Sequence, residues 1–478
     1  MLRVFKLTTL LSTQAPQGAS KDRIHSATSS RTLFFPMCFS IAVLTVLPTV
    51  HANPELSFPE AINTAIQNDV WLEGSQFREQ ALLDESSSAS RLPDPAVSLS
   101  AGNFPVDSFD IQQEPMTQLV LGVTQNFPRG ESLRLTARQK REIASQEPLL
   151  RQDRSAKIAT EVAQLWLTGY QAQESIRLIE QDRFLFHQLI EATRANYASA
   201  LGRARQQDII HAQLELARLD DRLSQLKLER DIAQQQLSEW IGDLAYQSFA
   251  SLIPEQEIRL PLDKLQQSHQ SKTALFELIE NHPSLLAFSR RLQATDTGIS
   301  LAKQKYKPEW GVTVSYGVRA DDPQGNDRAD LASIGITFDL PIFTNQRQDR
   351  EVSAAKFRNE SLKTEEQLLA RQLMAQLGAS IVQLQRLSER RSLYEQVLLP
   401  HTKDQSDASL SAYNNDDGDF SEAVRAQISL LNTKIEALSI ATARQRAIAA
   451  INYLTFGYQG QSAAVGNFEA NGGSYENL

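Results

Sequence analysis

Asparagine and aspartate crowd one short stretch of this sequence, Asn414-Asn415-Asp416-Asp417-Gly418-Asp419, and Glu422 follows closely. Carboxylates this dense suit two roles. They can form a solvated turn in which Asp419 caps the next helix, because a short acceptor side chain satisfies the unpaired N–H groups at a helix start. Multiplied by symmetry around a narrow opening, they would instead concentrate negative potential and favour cations. The two roles are compatible, and Asp208, at the start of an earlier helical run, is a further contributor. Other chemistry has less support. The seven histidines form no HxxxH or HExxH arrangement, the spacing that places two ligands on one helix face. His211, His282 and His401 therefore read as solvated helix residues. With no nucleophile, metal or phosphate-binding set at a usable spacing, the expectation is a protein without catalysis and without a cofactor.

Composition narrows the classes further. The chain has 478 residues, 41% of them hydrophobic, and a formal net charge of −9. That balance offers no basic face to a phosphate backbone, so no nucleic-acid partner is expected. The single cysteine, Cys38, lies in the N-terminal segment, leaving the remainder without disulfides or thiolate metal sites. The segment around it carries Arg31, an apolar core from about Phe39 to Leu47, and the exit Val50-His51-Ala52. Charge, short apolar core and small-residue exit mark an export signal over residues 1–52, with an unusually long charged lead. The core is too short to span a bilayer as a helix, which takes roughly 20 apolar residues.

The elements that must position the acidic turn come in a doubled order. In the first repeat, residues 53–242, a helical run from Phe58 to about Arg91 leads to strands at about 95–102 and 116–127. A long helix at about 131–198 and a second at about 208–242 follow. After a linker over 243–272, the second repeat fills 273–456: a helical run, strands at about 309–319 and 330–340, a long helix at about 345–413, and a helix at about 420–455. Residues 457–478, rich in Gly, Asn and Ser, read as a peripheral tail. The join GVTQNFPRG, Gly122 to Gly130, has its echo in GITFDLPIF, Gly335 to Phe343. This order of elements, met twice, is an internal duplication.

The strands alternate. Leu119, Leu121 and Val123 share one face; Val312, Val314, Tyr316 and Val318 do the same, as do Ile334, Ile336 and Phe338. Small and polar residues fill the opposite faces. An apolar face could pack on a soluble core. It could also meet lipid, since each segment has about the 9–11 residues of a tilted membrane strand. The helices carry a narrow seam: Ile209, Ala212, Leu216, Leu219, Leu223, Leu226, Ala233, Leu237 and Trp240, broken only by Arg230. Val424, Ile428, Leu431, Ile435 and Leu438 repeat it. Such a seam implies helix-on-helix packing. Pro148 and Pro400 predict a kink in each long helix. Trp310, at a strand start, suits a membrane girdle or a core equally.

Four strands cannot close a membrane barrel, because the smallest use eight. Three copies would supply twelve. Pro128 and Pro341 mark where each sheet segment must become a helix, proline being suited to a strand end and to a helix's first turn.

On these joins the chain resembles the TolC-like outer-membrane efflux channels, from about Asn53 to Phe456. The stretches DIIHAQLEL, Asp208 to Leu216, and EAVRAQISL, Glu422 to Leu430, carry the likeness into both helical halves. The segments LPDPAVSLSAGNFPVDSF and EPMTQLVLGVTQNFPRGESL look like the branch serving heavy-metal RND pumps. The resemblance implies a mainly α fold with a small β-barrel portion, a homotrimeric channel-tunnel in outer-membrane lipid whose helical barrel projects into the periplasm. It also implies a periplasmic adaptor and an inner-membrane RND-type pump as partners. The helix-to-helix breaks would be the periplasmic tips, with Leu201, Gly202, Arg203 and Tyr413 as adaptor contacts. The second tip departs from the pattern, since Asn-Asn-Asp-Asp replaces a simple apolar-Gly turn. A secreted coiled-coil interaction protein with a small soluble sheet stays open as the alternative.

Overall fold

A computed structural model of the chain describes residues 55–198, 206–258, 260, 265, 271–415 and 418–458. The expected export signal, the tail beyond Tyr458, the tip residues Leu201, Gly202 and Arg203, and the acidic pair Asp416 and Asp417 lie outside the described residues.

The described residues open with α1 (Phe58–Asn68) and α2 (Val70–Ala89), where the sequence reading has one run. The break is chemical. Asp69 is extended, caps α2 by accepting from the Trp71 N–H, and pairs with Arg154 at 3.0 Å. Strands β1 (Ala96–Gly102) and β2 (Gln118–Phe127) follow, then α3 (Ser132–Ala144), α4 (Glu147–Ala198) and α5 (Gln206–Ile241). A 3-10 turn at Gly242–Tyr246 begins the connection to α6 (Lys272–Ile279) and α7 (Pro283–Gln304). The second repeat continues with β3 (Trp310–Arg319), β4 (Leu331–Phe338) and α8 (Gln348–Leu393). A π turn at Tyr394–Leu398, α9 (Leu399–Asn414) and α10 (Phe420–Leu454) complete it.

Both long helices are interrupted near their prolines. The ring of Pro148 would meet the carbonyl four residues earlier, that of Ala144, and α3 ends there; Pro148 then sits in the first turn of α4. The 131–198 run is thus two helices, and α4, with 52 residues, is about 78 Å long rather than the full run's 100 Å. Before Pro400 the helix continues, but it widens: the Leu399 N–H reaches the Tyr394 carbonyl across the π turn. In the 273–306 run, His282 before Pro283 is extended, as the residue before proline prefers, and α6 ends.

The helices pack along their seams. Ala212, Leu219, Leu223, Ala233 and Leu237 of α5 are buried, as are Val424, Leu431 and Ile435 of α10. One apolar cluster joins α4, α5 and α10 through Ile179, Phe186, Leu223 and Leu431. A second surrounds Trp166 of α4, whose indole donates to the Leu56 carbonyl at 3.1 Å. The ring of Phe249 lies edge-on to Trp166 and over Gly169, a helical position where no Cβ intervenes. A third cluster packs α6 and α7 against α8 and the end of α10.

The four strands form one antiparallel sheet in the order β1-β2-β3-β4. Its register aligns most apolar positions. Val97, Val123, Val314 and Ile334 form one cross-strand row, and Leu99, Leu121, Tyr316 and Ala332 the next. The other face sets Ser98, Gly122, Ser315 and Ser333 in a row, and the Thr124 and Thr313 hydroxyls meet at 2.9 Å.

Candidate functional site

The sheet is the first part of the site, because of what its apolar face lacks. Leu99 is 71% exposed, Ile334 78% and Ile336 62%, and among the described residues no helix covers them. An amphipathic sheet in water buries its apolar side against a second layer, and among the described residues this one has none. At the base of the sheet Phe127, Trp310 and Phe338 stand in one row, the last two rings 5.1 Å apart. Trp310, 46% exposed, is therefore part of an aromatic row and not of a core. Aromatic rings at that level are what a membrane-water boundary favours. No described helix is long and apolar enough to cross a membrane.

Below the sheet the two repeats are clamped together. Arg129 reaches the carboxylate of Asp339, lies 3.7 Å from Glu309, and donates to the Lys307 carbonyl at 3.0 Å. Asp339 in turn accepts from the Glu309 N–H at 2.7 Å. Pro128 and Pro341 follow the strands, but neither enters a helix's first turn. The first join reaches α3 quickly because Gly130, at φ +48, turns the chain in the left-handed region. The second runs irregularly from Asp339 to Arg347 before α8, with Leu340, Ile342 and Phe343 exposed. The duplicated sequence thus makes two different joints.

The far end of the helical bundle holds the acidic candidates. Asp419 is exposed and is the N-cap of α10, accepting from the Ser421 N–H at 3.2 Å. Glu422 is exposed in the first turn of that helix. Asp208, near the start of α5, is buried. Tyr413 packs its ring 5.5 Å from Phe420, closing α9 onto α10. Ala212 of α5 shares a cluster with Phe420 and Val424, so the starts of α5 and α10 lie at one end. The structure brings Asp419, Glu422 and Tyr413 together, with Asp208 at the same end of the bundle.

Sequence reasoning missed two polar centres. Asp182 of α4 is buried, its Oδ1 3.8 Å from Lys434 of α10. Burial pushes its carboxyl above the usual range, an effect Lys434 partly offsets. Its long-range partner gives it no sequence signature. His282 also differs from expectation: it is buried, not solvated. Its Nδ1 accepts from the Ser284 N–H at 3.3 Å, and its Nε2 lies 3.2 Å from the Tyr453 carbonyl. With both ring nitrogens engaged, it caps α7 and has no lone pair to offer a metal. His211 and His401 are exposed, and among the described residues no group of three His, Cys, Asp or Glu side chains could hold a metal ion.

No family model matches the chain, and no curated protein sequence matches it. Solved structures do. The outer-membrane channel OprN is similar at 14% identity and a TM-score of 0.68, over 84% of this chain and 90% of that one. The outer membrane protein VceC of Vibrio cholerae is similar at 14% identity and 0.68, over 84% of this chain and 96% of that one. CusC, described for its transmembrane channel formation, is similar at 15% identity and 0.66, over 84% and 92%. Mainly helical, with one small antiparallel sheet, the chain has the tunnel-like fold of outer-membrane channel proteins.

Proposed function

We propose that three copies of this chain form a passive duct in the outer membrane of a Gram-negative cell. The duct is the exit component of a tripartite efflux system, fed by an inner-membrane RND-type pump through a periplasmic adaptor. One observation carries the reading: the apolar face of the sheet is exposed and ringed at its base by aromatic residues, while its other face is mostly small and polar. Lipid outside and water inside explain both faces at once. Unpaired strand edges cost several kcal/mol per group in hydrocarbon, so four strands must be closed by further copies. A soluble interaction protein would need a layer over this face, and the described residues supply none.

The helices then extend the wall into the periplasm. Asp419 and Glu422, with Asp208, Asp416 and Asp417, would form the negative entrance. Leu201, Gly202, Arg203 and Tyr413 would meet the adaptor. Heavy-metal cations as cargo rest on the likeness of the first strand pair to that branch; the fold is no nearer to CusC than to OprN.

The test is fractionation followed by electrophysiology. The full chain should sediment with outer membranes, run as a trimer in mild detergent, and conduct ions in planar bilayers. A monomer extracted without detergent, or a trimer that never conducts, would end this reading.

A further inference from the structure

Strands β1 and β4 are the sheet's edges, and no described strand pairs with their outer sides. The duplication says how a second copy meets them. PDPAVSLSAG, Pro93 to Gly102, repeats as PEWGVTVSYG, Pro308 to Gly317, which equates Val97 with Val312 and Leu99 with Val314. GVT at Gly122 repeats as GIT at Gly335, which equates Val123 with Ile336. The backbone obeys the same equivalence, since Val97 pairs with Val123 and Val312 pairs with Ile336.

The halves join where β2 meets β3, with Val123 opposite Val314. The geometry points to the same join being made between copies: β4 of one copy lies against β1 of the next, with Ile336 opposite Leu99. Phe338 then faces Val97, and Ile334 faces Ala101. This inference rests on the trimeric duct proposed above and supplies the strand register that the duct alone leaves open.

Direction, parity and closure all fit. With every neighbour antiparallel, β1 and β4 run oppositely, so β4 meets the next copy's β1 as an antiparallel pair. The pairing keeps apolar residues on one face, whereas a one-residue slip would turn Ile336 toward the polar side. Closure follows the paired residues around the ring. Val97 leads to Val123, Val314 and Ile334, and then to Ala101 of the next copy, a climb from position 97 to 101. Four residues per copy make twelve around three copies, equal to the number of strands. With about 3.4 Å per residue and about 4.8 Å between strands, the strands tilt by about 35°. Outer-membrane barrels use roughly 35–45°. Slipping by two residues per copy would give about 20° or about 47°.

Cysteine pairs read this register in the full chain, with Cys38→Ser removing the only native thiol. Opposed residues on antiparallel strands bring Cα atoms to about 4.5–5.5 Å, within disulfide reach, while a diagonal offset takes them to about 7–8 Å. Leu99→Cys with Ile336→Cys should give covalent trimers on mild oxidation of outer membranes. Val97→Cys with Phe338→Cys should independently do the same. Leu99→Cys combined with Ile334→Cys or with Phe338→Cys should leave monomers on a denaturing gel. Preferential cross-linking by the offset pairs overturns the register while leaving the trimer standing. So does failure of both facing pairs in a chain that is trimeric by native mass. A monomeric native mass for the parent chain removes the duct, and this pairing with it.

Discussion

The Tyr453 hydroxyl donates to Asp153 Oδ1 at 3.0 Å, tying the end of α10 to the start of α4 across 300 residues of sequence. Asp153 is buried, and its other oxygen accepts from Lys157 at 2.7 Å. The Tyr453 carbonyl meets His282 of α7. Three helices from both repeats are therefore held by one polar chain. Tyr453→Phe keeps the ring packing and removes one hydrogen bond, but leaves Asp153 its lysine. We expect a loss of about 1–3 kcal/mol in unfolding free energy, the range for orphaning a buried acceptor. Thermal unfolding in detergent would show it as a lowered midpoint, with bilayer conductance unchanged.

The same cluster sets a pH dependence. Burial holds the His282 pKa below the ordinary histidine value, with Asp153 and the Tyr453 carbonyl opposing that shift. The folded chain therefore binds this proton less readily than the unfolded chain does. Its contribution to stability is present above about pH 6.5 and is lost as the pH falls through the depressed folded value. Unfolding midpoints measured from pH 8 to pH 5 should decline with acid in the parent chain. The decline should be shallower in His282→Asn, which can still cap α7. An equal slope in both would dissociate His282 from the effect.

How much of this was readable in advance depends on the range of each interaction. Period-two alternation makes the sheet's two faces visible in Leu119, Leu121 and Val123 alone, because it is written in neighbouring residues. The prolines at 148 and 400 announce irregularities in the long helices for the same reason, a break at the first and a π turn before the second. The α1–α2 break at Asp69 was not legible, since it depends on Arg154 in another helix. The aromatic row of Phe127, Trp310 and Phe338 needs the register, and the Arg129–Asp339 clamp joins residues from different repeats. At the acidic end, the motif located Asp419 and Glu422, but which groups flank them depends on the packing of α5 and α9.

Gly169 lies beneath the ring of Phe249, whose Cε1 is 3.0 Å from where a Cβ would stand and whose Cζ and Cε2 are closer. Gly169→Ala must displace that ring and, with it, the edge-on contact to Trp166. Overpacking of this kind costs about 1–3 kcal/mol. Helix propensity pulls the other way by up to about 1 kcal/mol, so the net loss should be smaller. Combining Gly169→Ala with Phe249→Leu should cost less than the two single changes added. Additive losses would mean that the ring is not what glycine accommodates there.

At the acidic end, charge and capping can be separated. Asparagine caps a helix about as well as aspartate, so Asp419→Asn removes a charge and keeps the bond to Ser421. Asp419→Ala removes both. If the entrance is electrostatic, Asp419→Asn with Glu422→Gln should reduce cation preference in planar bilayers without lowering the unfolding midpoint. Asp419→Ala alone should lower that midpoint. Unchanged conductance and selectivity in the double variant would take these residues out of the entrance and leave Asp419 as a cap only.

The sharpest contrast lies between two neighbours in β2. Val123 is on the apolar face, in the row with Val97, Val314 and Ile334, and Thr124 beside it faces the other way and meets Thr313. That row lies partway between the aromatic base at Phe127 and the upper end of the sheet at Gln118. Arginine on a lipid face costs about 2–4 kcal/mol at the bilayer midplane, while one directed into a wet lumen remains solvated. Val123→Arg should therefore reduce the folded, membrane-inserted trimer sharply. Thr124→Arg should insert normally and shift the channel toward anions. Were the apolar face in water instead of lipid, Val123→Arg would be as harmless as Thr124→Arg, because both would place a charge in water. Insertion yield and ion selectivity of the two variants, measured side by side, thus read which face of the sheet is wet.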